Sequence, residues 1–502
     1  MLLTSSWLID ISLLVCIGVY ILYKYCSKNY DYWKKKGIYY LKPKPFIGNL
    51  SDVVNFKKTM AHWQQDVYNS TDEPYVGVFV FHKPVLTLRS PKLIKEVLMK
   101  HFDHFMNRTA QIPDHNQIFK HALFFSKNQD WKVMRTKMTP AFTSGKLKTM
   151  LPIVRNIGDE MSVYLKKNQG LLDVKEIGTK YAAEVIARTA FGINAYCFGE
   201  EESNFEEIVR KFFDFNWKLA LSQSAHMFMH SLVSLFRLEI ADTKAINYLR
   251  VAFWQTINQR EKTNVKGNDL IDIIVELKHN KEFCDKIKFE GDKVVSQPMQ
   301  FFVAGVETTS SAIAFTLYEL CIHPQIQNKL RQEILNYLRE NKEITYDTLK
   351  DLKYLEMCIM ETLRRYPALP FLDRECSEDF IIPGTDILLE KGTLVYIPLL
   401  GLHFDEKFFP EPTKYDPERF ADKSLINKDG LYYLPFGEGP RICLGERFAM
   451  MNVKIALINI LSQFAVEPAS TTPVPIKFCR KSFNIRSEVG LPMTFVEYKQ
   501  TN

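Results

Sequence analysis

Phe436-Gly437-Glu438-Gly439-Pro440-Arg441-Ile442-Cys443-Leu444-Gly445 is the stretch on which the reading of this chain turns. Two glycines and a proline ahead of Cys443 dictate a tight loop, and Gly445 permits close approach just after it. Glu446-Arg447-Phe448-Ala449-Met450-Met451 then starts a helix, so the loop delivers its cysteine to a helix N-terminus. Backbone N–H groups and the helix dipole stabilise a thiolate at such a place. Phe436, seven residues upstream, is placed to cover the sulfur. A thiolate ligand of iron needs these things: charge kept on sulfur, shielding from water and tuning by N–H donors. A lone cysteine in a glycine loop is more often inert; the whole ten-residue string sets this one apart.

The rest of the chain bounds the setting. Its 502 residues allow about three domains or one large core. A composition of 46% hydrophobic and 25% charged residues, with 21 Gly and 23 Pro, excludes collagen-like, coiled-coil, polytopic membrane and disordered classes. The net charge of +7 is too mild and dispersed to argue for nucleic acid. Thirty-six Phe point to a large apolar interior or an apolar pocket. Nine scattered cysteines without a CxxC pair argue against a disulfide framework and for a reducing compartment.

Leu2 to Tyr23 carry one charge, Asp10, and from Trp7 a helix would run roughly 25 Å. Residues 1–23 therefore read as a retained transmembrane signal anchor. Lys24, Lys28, Lys34, Lys35 and Lys36 follow it and no Lys or Arg precedes it, which puts the bulk of the chain in the cytosol. The sequons at Asn69 and Asn107 should then stay bare. Residues 24–49, with Lys42-Pro43-Lys44-Pro45-Phe46, read as a basic and proline hinge, and 50–502 as one catalytic domain. Alternation from Pro74 to Leu88 predicts a hairpin. Helical periodicity dominates 153–168, 176–192, 205–222, 242–262, 268–279 and a long run from about 297 to 338, while strand-like pieces return at 380–397. The pattern predicts a mainly helical α+β fold with a few small sheets.

The cysteine string resembles the FxxGxRxCxG signature of the cytochrome P-450 family, the haem-thiolate monooxygenases. Four further motifs stand in family order: Trp131 to Arg135 (WxxxR), Ala304-Gly305-Val306-Glu307-Thr308 (AGxxT), Glu361 to Arg364 (ExxR) and Pro417-Glu418-Arg419-Phe420 (PERF). The resemblance covers essentially the whole chain. It implies the cytochrome P-450 fold, a single large helical domain with small sheets, and haem b (iron protoporphyrin IX) with Cys443 as axial ligand and Phe436 beside it. Trp131, Arg135, Arg374 and Arg441 match propionate-binding positions, and Arg108 is a further candidate. Glu361, Arg364 and Arg419 match a buried ion network behind the haem loop. Small Ala304 and Gly305 would let the helix pass close over the porphyrin, with Thr308 supporting bound oxygen and Glu307 as its acid partner.

Substrate contacts carried over from the family are looser: the loop from Ile112 to Phe125, the aromatic helix 212–228, Val303, Ala368, Leu369 and Phe483. Phe212, Phe213, Phe215 and Trp217 either line an apolar access route at the membrane surface or pack a helix on both faces. The chain is most similar to microsomal insect members with xenobiotic-metabolising kin. That implies NADPH-cytochrome reductase, a flavoprotein, as electron donor, cytochrome b5 as a further partner, O2 as co-substrate and a small lipophilic substrate, at the endoplasmic reticulum membrane with the catalytic domain on the cytosolic face. Lys132, Lys137, Arg447 and Lys454 are candidates for the reductase surface. Pro298, Gly401-Leu402-His403-Phe404-Asp405 and Val489-Gly490-Leu491 depart from the family pattern. A peroxide-rearranging isomerase or dehydratase would lack the acid–alcohol pair, and a dead binding protein would show damage at Cys443, Glu361 or Arg364.

Overall fold

A 31-residue helix, Asp292–Ile322, forms the axis of the molecule. The computed structural model describes residues 7–213, 217–267, 269–341 and 343–499. Phe215 lies outside them. The central helix makes its most extensive contact with Val174–Ala190. Two glycines set that separation: a Cβ on Gly305 would overlap Ile186, and one on Gly178 would press on the Ser310 carbonyl. Gly305, expected to clear space over a porphyrin, thus serves the packing of two helices.

The helical run expected to continue to 338 is two helices, Asp292–Ile322 and Pro324–Glu340. Pro324 causes the break, because it has no N–H and excludes helical geometry from the residue before it. Pro298, by contrast, lies inside the central helix without ending it. On this axis pack Thr243–Thr263, Lys353–Arg365 and Glu446–Leu461, while Ser144–Lys167 packs on Val174–Ala190 and Glu446–Leu461.

The expected hairpin forms from Tyr75–Val80 and Lys83–Leu88, antiparallel with Val78 opposite Val85. Leu394–Pro398 joins it in parallel, and Phe371–Glu375 closes the four-stranded sheet. A second sheet places Pro492–Glu497 between Gly170–Asp173 and Phe464–Pro468. The mainly helical fold with small sheets is the one the pattern predicts.

Trp7–Ser27 is long and apolar enough to cross a membrane, and its Leu, Ile and Val side chains are exposed. The segment expected to hinge it to the body is docked instead. Trp33 is fully buried, its indole N–H donates to the Val78 carbonyl at 3.1 Å, and a Cβ on Gly77 would overlap its ring. Tyr40 bridges to Gly77 and Gly48 to Val80, while the Phe79 N–H donates to Asn49 Oδ1 at 2.7 Å. Residues from Trp33 onward therefore belong to the body, because the aromatic and amide groups among the lysines find buried partners. Asn107, in the second sequon, is also buried, with its amide donating to Asn128 Oδ1 at 2.7 Å.

Candidate active site

Gly437 and Gly439 have φ of 76° and 77°, the left-handed region in which a side chain is strained. A Cβ on Gly439 would also overlap the Leu98 carbonyl. The loop then closes on itself, the Cys443 N–H donating to the Phe436 carbonyl at 2.9 Å. Glu446–Leu461 begins three residues past the cysteine. Cys443 is solvent-accessible, yet desolvation is the largest influence on its thiol and raises its pKa. It therefore faces an internal cleft. The Gly445 backbone and the charges of Arg135 and Arg108 oppose that rise without reversing it. Ala304, midway along an otherwise buried helix, is likewise open. Phe142 ties the two elements together: its ring centroid lies 5.3 Å from that of Phe301 and 6.2 Å from that of Phe448.

Beside the cysteine, guanidinium groups crowd together. Burial and the charges of Arg108 and Arg374 push Arg441 down to about 8, and burial and Arg108 push Arg374 down to about 9. Arg441 lies 4.4 Å over the Trp131 ring and donates to the Ser126 carbonyl at 2.7 Å. Arg135, one turn beyond Trp131 on Asn128–Met138, is half-buried. Among the described residues a single carboxylate answers this charge. Asp373 is buried, which works against ionisation, but Arg108 at 3.1 Å and the Thr109 N–H at 2.6 Å outweigh that and hold it below the usual range. The Nε atoms of Arg108, Arg374 and Arg441 are buried and find no hydrogen-bond partner among the described residues. Buried donors of this kind call for an anionic guest.

Behind the loop, Arg364 Nε meets Glu361 Oε2 at 2.7 Å with both side chains fully buried. Arg364 also donates to the carbonyls of His403 and Pro412 at 2.7 and 2.8 Å. Arg419 stands 3.5 Å from Glu361, so the three expected members meet. His403 extends the network forward. Its Nδ1 pairs with the Arg364 carbonyl and its Nε2 accepts from the Leu434 N–H, both at 3.0 Å. The carbonyl partner assigns the proton to Nδ1. Leu434 in turn accepts from the Gly437 N–H at 3.0 Å, which reaches the cysteine loop.

On the other side, Glu307 and Thr308 border a cavity that Ala368 and Asn484 also line. Thr308 Oγ1 donates to the Ala304 carbonyl at 2.6 Å. Val303 is half-buried against the helical core, whereas Leu369 packs toward the sheet cluster and is not among that cavity's lining. Phe483 lies 5.9 Å from Phe371 and borders a second pocket with Phe212 and Phe213. Phe212 is buried, its ring 6.4 Å from that of Phe119 and 5.5 Å from that of Phe302, so it packs inward. Lys454, proposed for a docking surface, is buried, with its amine on Glu356 at 2.8 Å and on the Leu349 carbonyl at 2.9 Å. Lys132, Lys137 and Arg447 are exposed. Sequence reasoning missed Asp373 and the role of His403. The Asp373-Arg374 neighbour pair was a visible signal for the first, and nothing local marked the second.

A family profile described as Cytochrome P-450 matches residues 40–490. The chain belongs to the cytochrome P-450 family. Cytochrome P-450 6k1 of Blattella germanica is 37% identical over 98% of each chain, and cytochrome P-450 6j1 of the same organism is 37% identical over 95% of each. Probable cytochrome P-450 6g2 of Drosophila melanogaster is 34% identical over 94% of this chain and 95% of its own. The protein is a haem-thiolate monooxygenase, and its family implies use of haem, dioxygen and a reductase as electron donor. The residues present fit that group. Haem carries two carboxylates, and the arginine cluster offers unpartnered buried donors close to a cysteine that opens on the cleft.

Proposed function

We propose that the protein inserts one oxygen atom from O2 into a small lipophilic substrate, xenobiotic or endogenous, with electrons passed from NADPH by a flavoprotein reductase. Haem b bound in the cleft supplies the oxygen-activating chemistry. Cys443 would hold the haem iron through its sulfur, which Phe436 and the Gly445 backbone shield and tune. Trp131, Arg135, Arg374 and Arg441, with Arg108, bind the propionates and so relieve their own crowding. Asp373 orients Arg108. Glu361, Arg364 and Arg419 hold the loop's support, with His403 as the link. Ala304 leaves room beside the oxygen, while the Thr308 hydroxyl and the Glu307 carboxylate hold and pass the protons that oxygen cleavage requires.

Val303, Ala368, Leu369 and Phe483 contact the substrate. The retained Glu307-Thr308 pair favours this reading over a peroxide isomerase. The reductase, and cytochrome b5, dock on the cysteine side near Lys132, Lys137 and Arg447. The exposed apolar helix at the amino terminus and the lysines after it support anchoring in the endoplasmic reticulum membrane with the catalytic domain on the cytosolic face.

The observation that carries the proposal is the set of buried, unpartnered arginine donors beside Cys443. A reduced carbon-monoxide difference spectrum tests it. Wild type should show the thiolate-type Soret band and Cys443→Ala should not; a wild type without that band would sink the assignment. With reductase, Thr308→Ala should consume NADPH without matching product.

A further inference from the structure

Lys175, in the first turn of Val174–Ala190, belongs to no motif, yet its ammonium reaches four atoms of the central helix. Its Nζ lies 3.1 Å from Glu307 Oε2, 2.6 Å from Ser310 Oγ and 2.9 Å from Ser311 Oγ, and it reaches the Glu307 carbonyl at 3.4 Å. Ser311 Oγ also donates to Glu307 Oε1 at 3.5 Å. Both side chains of the ion pair are less than one-fifth exposed. Burial weighs against the ammonium and holds its pKa below the usual lysine range; Glu307 opposes this without reversing it. The other charged groups acting on it are Arg486 of the C-terminal loop, which repels it, and Asp173, which attracts it. Asp173 Oδ1 accepts from the backbone N–H groups of Lys175 and Leu491, so Glu307 is the carboxylate in contact with the ammonium.

This geometry is a clamp. The Lys175 ammonium and the Ser311 hydroxyl hold a single carboxylate from the side of the helix that faces Val174–Ala190, and Ser310 Oγ fixes the ammonium in turn. Glu307 and the neighbouring Thr308 border the cavity with Ala368.

We propose that Lys175 is the positioning residue for Glu307, holding its carboxyl group in fixed orientation beside Thr308. This rests on the proposed role of Glu307 as the acid partner. Without the ammonium, the carboxyl group would turn from its place, and reducing equivalents would leave as peroxide instead of product.

Infrared spectroscopy of the full chain reads this directly, with or without haem bound. The wild-type minus Glu307→Gln difference spectrum isolates the Glu307 carboxyl bands, and in Lys175→Met those bands should shift and broaden. Product formed per NADPH should fall severalfold in Lys175→Met. Lys175→Arg should recover both the wild-type bands and the coupling. Unshifted bands together with unchanged coupling in Lys175→Met would overturn the proposal. If Lys175→Met does not fold, Lys175→Gln decides by the same two readouts. A wild type lacking the thiolate-type Soret band would instead remove the functional reading and leave the infrared result standing.

Discussion

The loop around Cys443 and the aromatic cluster around Phe302 are built by different means. Directional bonds from distant segments position the loop: His403 to Leu434, Leu434 to Gly437, Phe436 to Cys443, with two glycines in left-handed geometry. Phe302 instead sits among the rings of Phe205, Phe212 and Phe213 at 5.5–5.8 Å, contacts that fix proximity but few angles. Further along the same side, Leu221, Leu235 and Phe236 are exposed. Hydrogen bonds and charges tolerate little displacement, so the reaction chemistry lies where the geometry is rigid. Apolar walls discriminate by shape, at about 1–3 kcal/mol per methylene, so specificity can drift without loss of the reaction.

The contrast can be broken hardest at Arg364. Arg364→Ala leaves Glu361 buried without its cation and should cost about 3–5 kcal/mol, seen in chemical denaturation together with loss of the carbon-monoxide signature. Acid should attack the same side. Burial pushes His403 down to about 3 and His121 to about 4, and lowers His226 as well. The unfolded chain protonates these rings below about 6.5 and the folded one does not, so stability is full above that pH and falls as pH drops toward 3–4. Denaturation midpoints measured from pH 7.5 to 5 check this, and a flat profile would rule it out.

A smaller loss is expected for Gly439→Ala, where a left-handed backbone disfavours any side chain by about 1–3 kcal/mol and the Leu98 carbonyl is in the way. A lowered melting temperature and a weakened thiolate band would report it. Smallest is Phe212→Leu. It removes ring contacts of about 0.5–1.5 kcal/mol, so it should shift the ranking among substrates of different shape while leaving the thiolate band intact. A lost band in that variant would show the two regions to be coupled.

The cysteine string, the helix motifs and the hairpin were legible because each is a local spacing with a local meaning. What stayed hidden was pairing at long range. Lys175 and Glu307 are 132 residues apart, and His403 and Leu434 are 31 apart, with no periodicity to connect them. Gly305 was read for its size alone, whereas Ile186 on another helix decides its role. Lys454 reads as a docking-surface candidate because lysines usually face solvent; the carboxylate of Glu356 takes it inside. Trp33 lay among lysines that suggested a tether, and only its partner Val78 reveals the docking.

Glu361 and Arg364 stand one turn apart, so they meet as soon as their helix forms. The carbonyls of His403, Pro412 and Lys414 that complete the shell of Arg364 come 39, 48 and 50 residues later. At about 5–20 residues per second, synthesis leaves the pair waiting roughly 2–10 s for them. Cys443 emerges later still. Every carbonyl partner of Arg364 has thus been synthesised before the sulfur, whereas the core that buries the pair includes Phe448 and Phe464 and is complete only after it.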